Sequence, residues 1–360
     1  MTSQPTCGVT CEHNTHDDVR LLVFTPDGGQ DGHFIFDFNG RRIELTIVWN
    51  GSSTAGGPAQ DALAELMSGN QEDIGDDAFF DRAYDALDTV VEAGRLLFAA
   101  LPAPHSTISD SAPVQLHTLI YRRIHHFNLS YAVEGKVVVS PDVSKKSTFD
   151  FAPDVYPSSL DPDFTFLSSP ILAQLPAFPS TAVNVVQVLA HSGSATRIRL
   201  PDGQDALCKV SADGLLDRCV RHELEKLVRI AESSEAVAVP RLLGVVKHPG
   251  TGLVIGLVRE WISGQVPSET VVAETSLETR QKWMTQIRRA VSRLHGLGLI
   301  WGDGKLENIV VDEKGDAWLI DLGGGFTKGW VDEELSDTVE GDEQALCNIM
   351  GNLGLDVEGI

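Results

Sequence analysis

Residues 300–325, IWGDGKLENIVVDEKGDAWLIDLGGG, restrict the fold more than any other stretch of this chain. IVV reads as a short strand, DEKG as a turn and AWLI as the returning strand, because branched and apolar runs on either side of a polar, glycine-bearing cluster form hairpins. Pairing two strands across a tight turn dictates which residues stand together. Asn308 precedes the first strand and Asp321 follows the second, so both arrive at the open end of the hairpin. Asp303 lies on the loop leading in, Lys305 sits between, and glycines 323–325 close the run. Two carboxylates, one amide and one amine are thereby collected at one place.

Those side chains suit phosphate chemistry. Magnesium prefers hard oxygen ligands and uses few protein groups when phosphates supply the rest. Asn308 and Asp321 could provide an amide and a carboxylate oxygen. A second carboxylate, Asp303, left off the metal, can orient or deprotonate an attacking hydroxyl. Lys305 can neutralise charge on a transferring phosphoryl group.

The rest of the chain divides by pattern. Residues 1–18 read as a flexible polar tail. Its Cys7, Cys11, His13 and His16 could ligate zinc, but structural zinc sites separate two ligand pairs by a longer loop, which favours a tail. Residues 19–140 form an α+β region of unknown role. VRLLVFTP, HFIFDF and RRIELTIVW alternate as strands around DGGQDG and NG turns, a long helix spans 77–101, and a short helix and a hairpin turning at EGK follow. Residues 141–180, rich in Pro, Asp and Ser, read as a connector. In 181–262, NVVQVLA, TRIRLPDG, ALCKVS and LVIGLVREWI read as strands. LLDRCVRHELEKLVRIAE between them reads as a helix with Leu216, Val220, Leu224, Leu227 and Val228 on one face. In 263–360, Ser276 is expected to cap a helix whose apolar stripe is Trp283, Ile287, Val291 and Leu294, ending at Gly296 or Gly298.

Composition sets outer limits. Fifty-one acidic against 28 basic residues leave a net charge of −23, which disfavours nucleic acid and anionic membranes unless a local basic patch exists. YRRIHHF and RQKWMTQIRRAVSR are the candidates for such a patch, although His125 and His126 in the first read as packed or surface side chains. No run approaches the roughly 18 apolar residues of a membrane span. An odd count of five cysteines without an apolar leader points to a reducing, cytoplasmic setting, with Cys208 and Cys219 as small buried hydrophobes.

Taken in order, these residues resemble the protein-kinase-like superfamily, which includes the aminoglycoside phosphotransferases. Trp301-Gly302-Asp303-Gly304-Lys305-Leu306-Glu307-Asn308 is similar to its catalytic loop, and Asp321-Leu322-Gly323, eighteen residues after Asp303, to its metal-binding turn. The run from WGD to EGD is particularly similar to small kinase-like proteins of filamentous fungi. The resemblance covers about 183–350. It implies a bilobal α+β fold, with an antiparallel-sheet N-lobe and a short, mostly helical C-lobe. It further implies ATP and magnesium as cofactors, Asp303 with Lys305 as catalytic residues, and Asn308 with Asp321 as metal ligands. Lys209 would hold the phosphates with Glu223 as its helix partner and Glu225 as second choice. Val258 would stand near the gate, Glu260 to Ile262 would lend backbone groups to the base, Gly193 would be the remnant of a glycine loop, and Asp342 would brace the catalytic loop.

Several positions depart from that pattern. Trp301 replaces a histidine, Gly302 an arginine, and the glycine loop is nearly absent. No A-P-E motif follows Asp321, so a small-molecule hydroxyl or amine is the expected acceptor. A pseudokinase-type scaffold stays open as an alternative. So does a fold redirected to another transfer, such as nucleotidyl transfer or tRNA-dependent amide or cyclodipeptide formation, the only case in which a nucleic acid partner is expected.

Overall fold

The computed structural model describes residues 17–26, 32–47, 76–102, 114–131, 137–145, 162–190, 194–211 and 216–355. The fold is α+β. Contacts divide it into two compact units, Met1–Val114 with Thr118–Ala152, and Gln115–His117 with Pro153–Ile360. Cys7, Cys11, His13, His16 and Gly193 lie outside the described residues. Among those described, no helix is long and apolar enough to cross a membrane.

The chain opens with β1 (Val19–Pro26), β2 (Gly32–Phe38), β3 (Arg41–Ile47), α1 (Asp76–Ala99), β4 (Val114–Gln115), α2 (Leu116–Ile120), β5 (Ile124–Tyr131) and β6 (Val137–Pro141). In the first unit the sheet order is β1-β2-β3-β5-β6, antiparallel throughout except for the parallel β3–β5 pair. The NG turn forms as its residues require: Asn39 and Gly40 both take positive φ, 48° and 77°, the geometry of a two-residue hairpin. Alternation then sends Phe34, Phe36, Phe38, Ile43, Leu45 and Ile47 to one face, where Leu87, Val90 and Phe98 of α1 join them in a common core. On the opposite phase of the strands, Asp37 and Arg42 face each other across the ladder, both buried. Arg42 Nε donates to Asp37 at 3.1 Å and its terminal nitrogen to Ile120 O at 2.9 Å, which satisfies the charge internally.

Gly94 gives a test of this packing. A Cβ there would lie 2.2 Å from the Phe98 ring. That ring cannot swing away, because Phe36, Phe38 and Phe127 hold it edge-to-face at 5.6, 5.7 and 5.1 Å between centroids. Helix propensity favours alanine by about 1 kcal/mol, but overpacking a closed core costs about 1–3 kcal/mol. Gly94→Ala should therefore lower the stability of this unit in urea unfolding, against the propensity scale.

The second unit contains a 3₁₀ turn (Pro162–Ser168), α3 (Pro170–Gln174), β7 (Ala177–Pro179), β8 (Asn184–Val188), β9 (Ala195–Arg199), β10 (Asp205–Val210), α4 (Arg218–Glu232), β11 (Leu242–Lys247), β12 (Val254–Glu260), β13 (Gly264–Gln265), α5 (Glu269–Glu274), α6 (Leu277–Gly296), β14 (Ile309–Asp312), β15 (Ala317–Leu319) and α7 (Val339–Asn352). Its larger sheet runs β4-β8-β9-β10-β12-β11-β7, and β13-β14-β15 form a small second sheet. Part of the expected connector is structured: within 141–180, residues 162–180 hold the 3₁₀ turn, α3 and β7, and β7 pairs in parallel with β11. Strand β11, LLGVVK, leaves no mark in the sequence, because a short apolar run carries no alternation to identify it.

Two helices set up the site. Asp217 caps α4 by accepting from Val220 N at 2.8 Å. The buried stripe of α4, Val220, Leu224, Leu227 and Val228, also carries Glu223, 1% exposed. Ser276 caps α6 by accepting from Thr279 N at 3.2 Å, and Trp283, Ile287, Val291 and Leu294 are buried as the stripe requires. Gly298, with φ of 65°, turns the chain toward the loop that holds Asp303.

Candidate functional site

Glu223 is buried on α4 and Lys209 is half-buried on β10, and burying a charge is tolerated only when it is paired. Lys209 Nζ donates to Glu223 Oε2 at 2.6 Å and to Asp321 Oδ1 at 2.7 Å. Glu223 Oε1 lies 2.9 Å from Arg259 Nε, so one carboxylate serves two cations. Burial alone would lower the Lys209 pKa, but the Asp321 and Glu223 carboxylates outweigh it and raise it above the ordinary lysine value. Burial likewise opposes ionisation of Asp321, yet the adjacent Lys209 ammonium holds its carboxyl below the usual range. Asp321 takes a left-handed backbone, φ of 58°, uncommon outside glycine and stored here at the mouth of the cluster, where its side chain is 43% exposed.

The hairpin closes as its residues dictate. Ile309 faces Leu319 and Val311 faces Ala317, while Ile320 N donates to Asn308 O at 2.9 Å, which sets Asp321 one residue from Asn308. The preceding loop is suspended from one buried carboxylate. Asp342 of α7, fully buried, accepts from Trp301 N at 2.8 Å and Gly302 N at 2.9 Å, and its Oδ2 lies 2.8 Å from His295 Nε2. Trp301 is also fully buried and donates from Nε1 to Ile320 O at 3.1 Å, tying this loop to the residue between β15 and Asp321.

Glycine is required where the two loops meet. Gly302 has φ of 96°, and a Cβ on it would come within 2.6 Å of Gly324 Cα. A Cβ on Gly324 would in turn meet Asp337 Oδ1 at 2.5 Å, the same oxygen that accepts from Gly325 N at 3.0 Å.

Three side-chain donors meet the Asp303 carboxylate. Its Oδ2 accepts from Lys305 Nζ at 2.5 Å and Asn308 Nδ2 at 3.2 Å, and its Oδ1 accepts from Thr327 Oγ1 at 2.6 Å. Asn308 Nδ2 also donates to Asp303 O at 2.7 Å. With the amide nitrogen committed, the side-chain carbonyl of Asn308 is the face left to coordinate a ligand. Among the described residues, no three His, Cys, Asp or Glu are grouped to share a metal ion. A phosphate-bound magnesium needs fewer protein ligands, and the oxygens of Asn308 and Asp321 are of the hard type it takes.

The structure thus brings Lys209, Glu223 and Asp321 together, and Asp303, Lys305 and Asn308 together beside the same hairpin. Val258 is placed differently. It pairs with Cys208, whereas Lys209 pairs with Leu257 and Leu207 with Arg259. Directly paired residues share a face, so Val258 lies on the opposite face from Lys209, and Arg259 stands on the Lys209 face instead. Glu260 commits its amide to Arg241 O at 2.9 Å and its carboxylate to the Arg241 guanidinium at 2.8 Å. Ile262 is half-buried in the stretch between β12 and β13. Arg259 and Thr327 are participants that sequence reasoning missed. The cysteines differ from each other: burial pushes the Cys208 thiol up to about 12, whereas Cys219 is only half-buried. In comparisons with known proteins, no family model matches the chain, and the search of curated proteins returned no match.

Proposed function

We propose that the second unit is a protein-kinase-like, ATP- and magnesium-dependent phosphotransferase acting on a small-molecule hydroxyl or amine. One observation carries the reading: Lys209 bridges Glu223 and Asp321 at 2.6 and 2.7 Å, joining a strand, a helix and a hairpin end that lie far apart in sequence. Lys209 would bind the nucleotide's phosphates, with Glu223 and Arg259 holding its ammonium in place. Asn308 and Asp321 would hold magnesium, which when bound neutralises phosphate charge. Asp303 would orient the acceptor and receive its proton, and Lys305 would steady the transferring oxygens. Catalysis of this kind is mostly placement and charge neutralisation.

Under this reading β8–β12 and α4 correspond to the N-lobe, and α6, the β14–β15 hairpin and α7 to the C-lobe. The small acceptor is favoured by chain economy. Only residues 322–338 separate Asp321 from α7, whose Asp342 is tied back to the Asp303 loop. That span leaves little backbone to cradle an extended peptide. The test is magnesium-dependent ADP release by the full chain across a panel of hydroxyl- and amine-bearing metabolites. Release stimulated by at least one of them is expected, and no release with any would contradict the activity.

A further inference from the structure

The basic run YRRIHHF takes no part in the Lys209 cluster, and the first unit gives it a place of its own. Strand β6 pairs with β5 only as far as Pro141 opposite Phe127, and Asp142 N then donates to His126 O at 2.9 Å. Where β6 stops, a cavity of about 290 Å³ opens between the start of β5, the end of α1 and residues 141–145. That is near the lower end of the roughly 300–1,000 Å³ of small-molecule sites. Strand alternation sends His125 and His126 to opposite faces, yet at this strand edge both line the cavity.

The lining is of two kinds. Leu97, Leu101 and Phe127 are apolar. Arg123, His125, His126 and Lys145 are basic, with Asp142 the one carboxylate among the described lining residues. This basic excess is local, because the chain as a whole carries −23. Asp142 is already engaged: its Oδ1 accepts from Ser144 N at 2.9 Å and from Ser144 Oγ at 2.6 Å. Two of the basic groups still have a nitrogen to offer. The His126 side chain is 7% exposed, its Nδ1 lies 3.0 Å from Glu44 Oε2, and its buried Nε2 meets no hydrogen-bond partner among the described residues. A buried polar atom left this way is unusual and destabilising. Doubly protonated, with Nδ1–H facing Glu44, the ring presents Nε2–H as a donor. Lys145 Nζ gives two of its three protons to Glu44 Oε1 at 2.6 Å and Thr46 Oγ1 at 3.3 Å, which leaves a third. Burial holds the His125 imidazole below its ordinary value, and Arg123, His126 and Arg41 push the same way, so positive charge is crowded here.

We propose that this cavity binds a small monocarboxylic acid with an apolar body. Its carboxylate accepts from His126 Nε2, Lys145 Nζ and the Arg123 guanidinium, and its hydrocarbon part lies on Leu97, Leu101 and Phe127. A singly charged head suits the site better than phosphate, because Glu44 and Asp142 stand beside the same cations and repel a dianion more strongly. The inference concerns the first unit only and does not depend on the phosphotransferase reading.

The experiment titrates the full chain, at constant pH, with benzoate, phenylacetate, hexanoate and octanoate, and follows the histidine ring resonances by NMR. At least one acid is expected to shift the His125 and His126 rings saturably, the two being assigned with His125→Gln and His126→Gln. Benzamide and hexanamide keep the shape and lose the charge, so they should bind at least about tenfold more weakly. The acids should lose affinity by a similar factor in Arg123→Gln and in Lys145→Gln, whose exposed positions leave the fold intact. No saturable shift with any acid, amides binding as tightly as acids, tighter binding of inorganic phosphate, or parental affinity in either substituted chain would overturn the proposal.

Discussion

Replacing Asp321 with asparagine should reduce magnesium-dependent ADP release by about 10²–10³-fold, the scale on which removal of one preorganised charge-stabilising group acts in an active site. Asparagine is the informative substitution. Position 321 has φ of 58°, and asparagine is among the few residues that accept a left-handed backbone without glycine's loss of order. The shape is kept while the carboxylate is lost. Lys209 retains Glu223 at 2.6 Å, and Glu223 retains Arg259 at 2.9 Å, so the helix–strand contact survives and the folded state should remain populated in circular dichroism. A variant that turned over ATP like the parent would remove Asp321 from the chemistry.

The same cluster has a signed pH dependence. Asp321 has its folded pKa lowered, so its stabilising contribution is present above the unfolded carboxylate value of about 4 and is lost as pH falls through the lower folded value. Lys209 has its folded pKa raised. Its contribution is fully present below the unfolded lysine value of about 10.4 and is lost as pH rises through the higher folded one. Between those limits both groups are charged and the pair is intact.

The second large effect concerns stability. Asp342→Ala removes a fully buried acceptor and leaves Trp301 N–H and Gly302 N–H without a partner, with His295 Nε2 deprived of its contact at 2.8 Å. Each buried donor left unsatisfied costs about 1–3 kcal/mol, so the total is expected at about 3–5 kcal/mol, comparable with removing one partner of a buried ion pair. For a domain of ordinary stability, about 5–15 kcal/mol, that is a large fraction. The loss should appear as a lower denaturation midpoint. Because the Asp303 loop hangs from this residue, turnover should fall with the folded fraction. An unchanged midpoint would show that the loop is held some other way.

Much of this arrangement was readable from local pattern. The hairpin at 309–319 follows from two short apolar runs around DEKG, and it alone brings Asn308 and Asp321 to one end. Glu223 rather than Glu225 meets Lys209 because it falls on the stripe of Val220, Leu224 and Leu227 that packs inward. What escaped depends on distant chain segments. Whether Val258 or Arg259 faces Lys209 is decided by the register of β10 against β12, and a shift of one residue would exchange them. No periodicity within LVREWI reveals that register. Thr327 lies in a glycine-rich loop without repeat, and only the closed loop shows its hydroxyl on Asp303. Strand β7 is three residues long and exists because β11 is there to pair with it.

The central claim is that Lys209, Asn308 and Asp321 together hold a magnesium-bound nucleotide. Thermal unfolding of the full chain, titrated with ATP in magnesium and in excess chelator, tests it most directly, since a ligand that binds only the folded state raises the midpoint with its concentration. The expected result is a saturable, magnesium-dependent rise that Asp321→Asn loses. No rise at millimolar nucleotide with magnesium, or an equal rise in the Asp321→Asn chain, would contradict it.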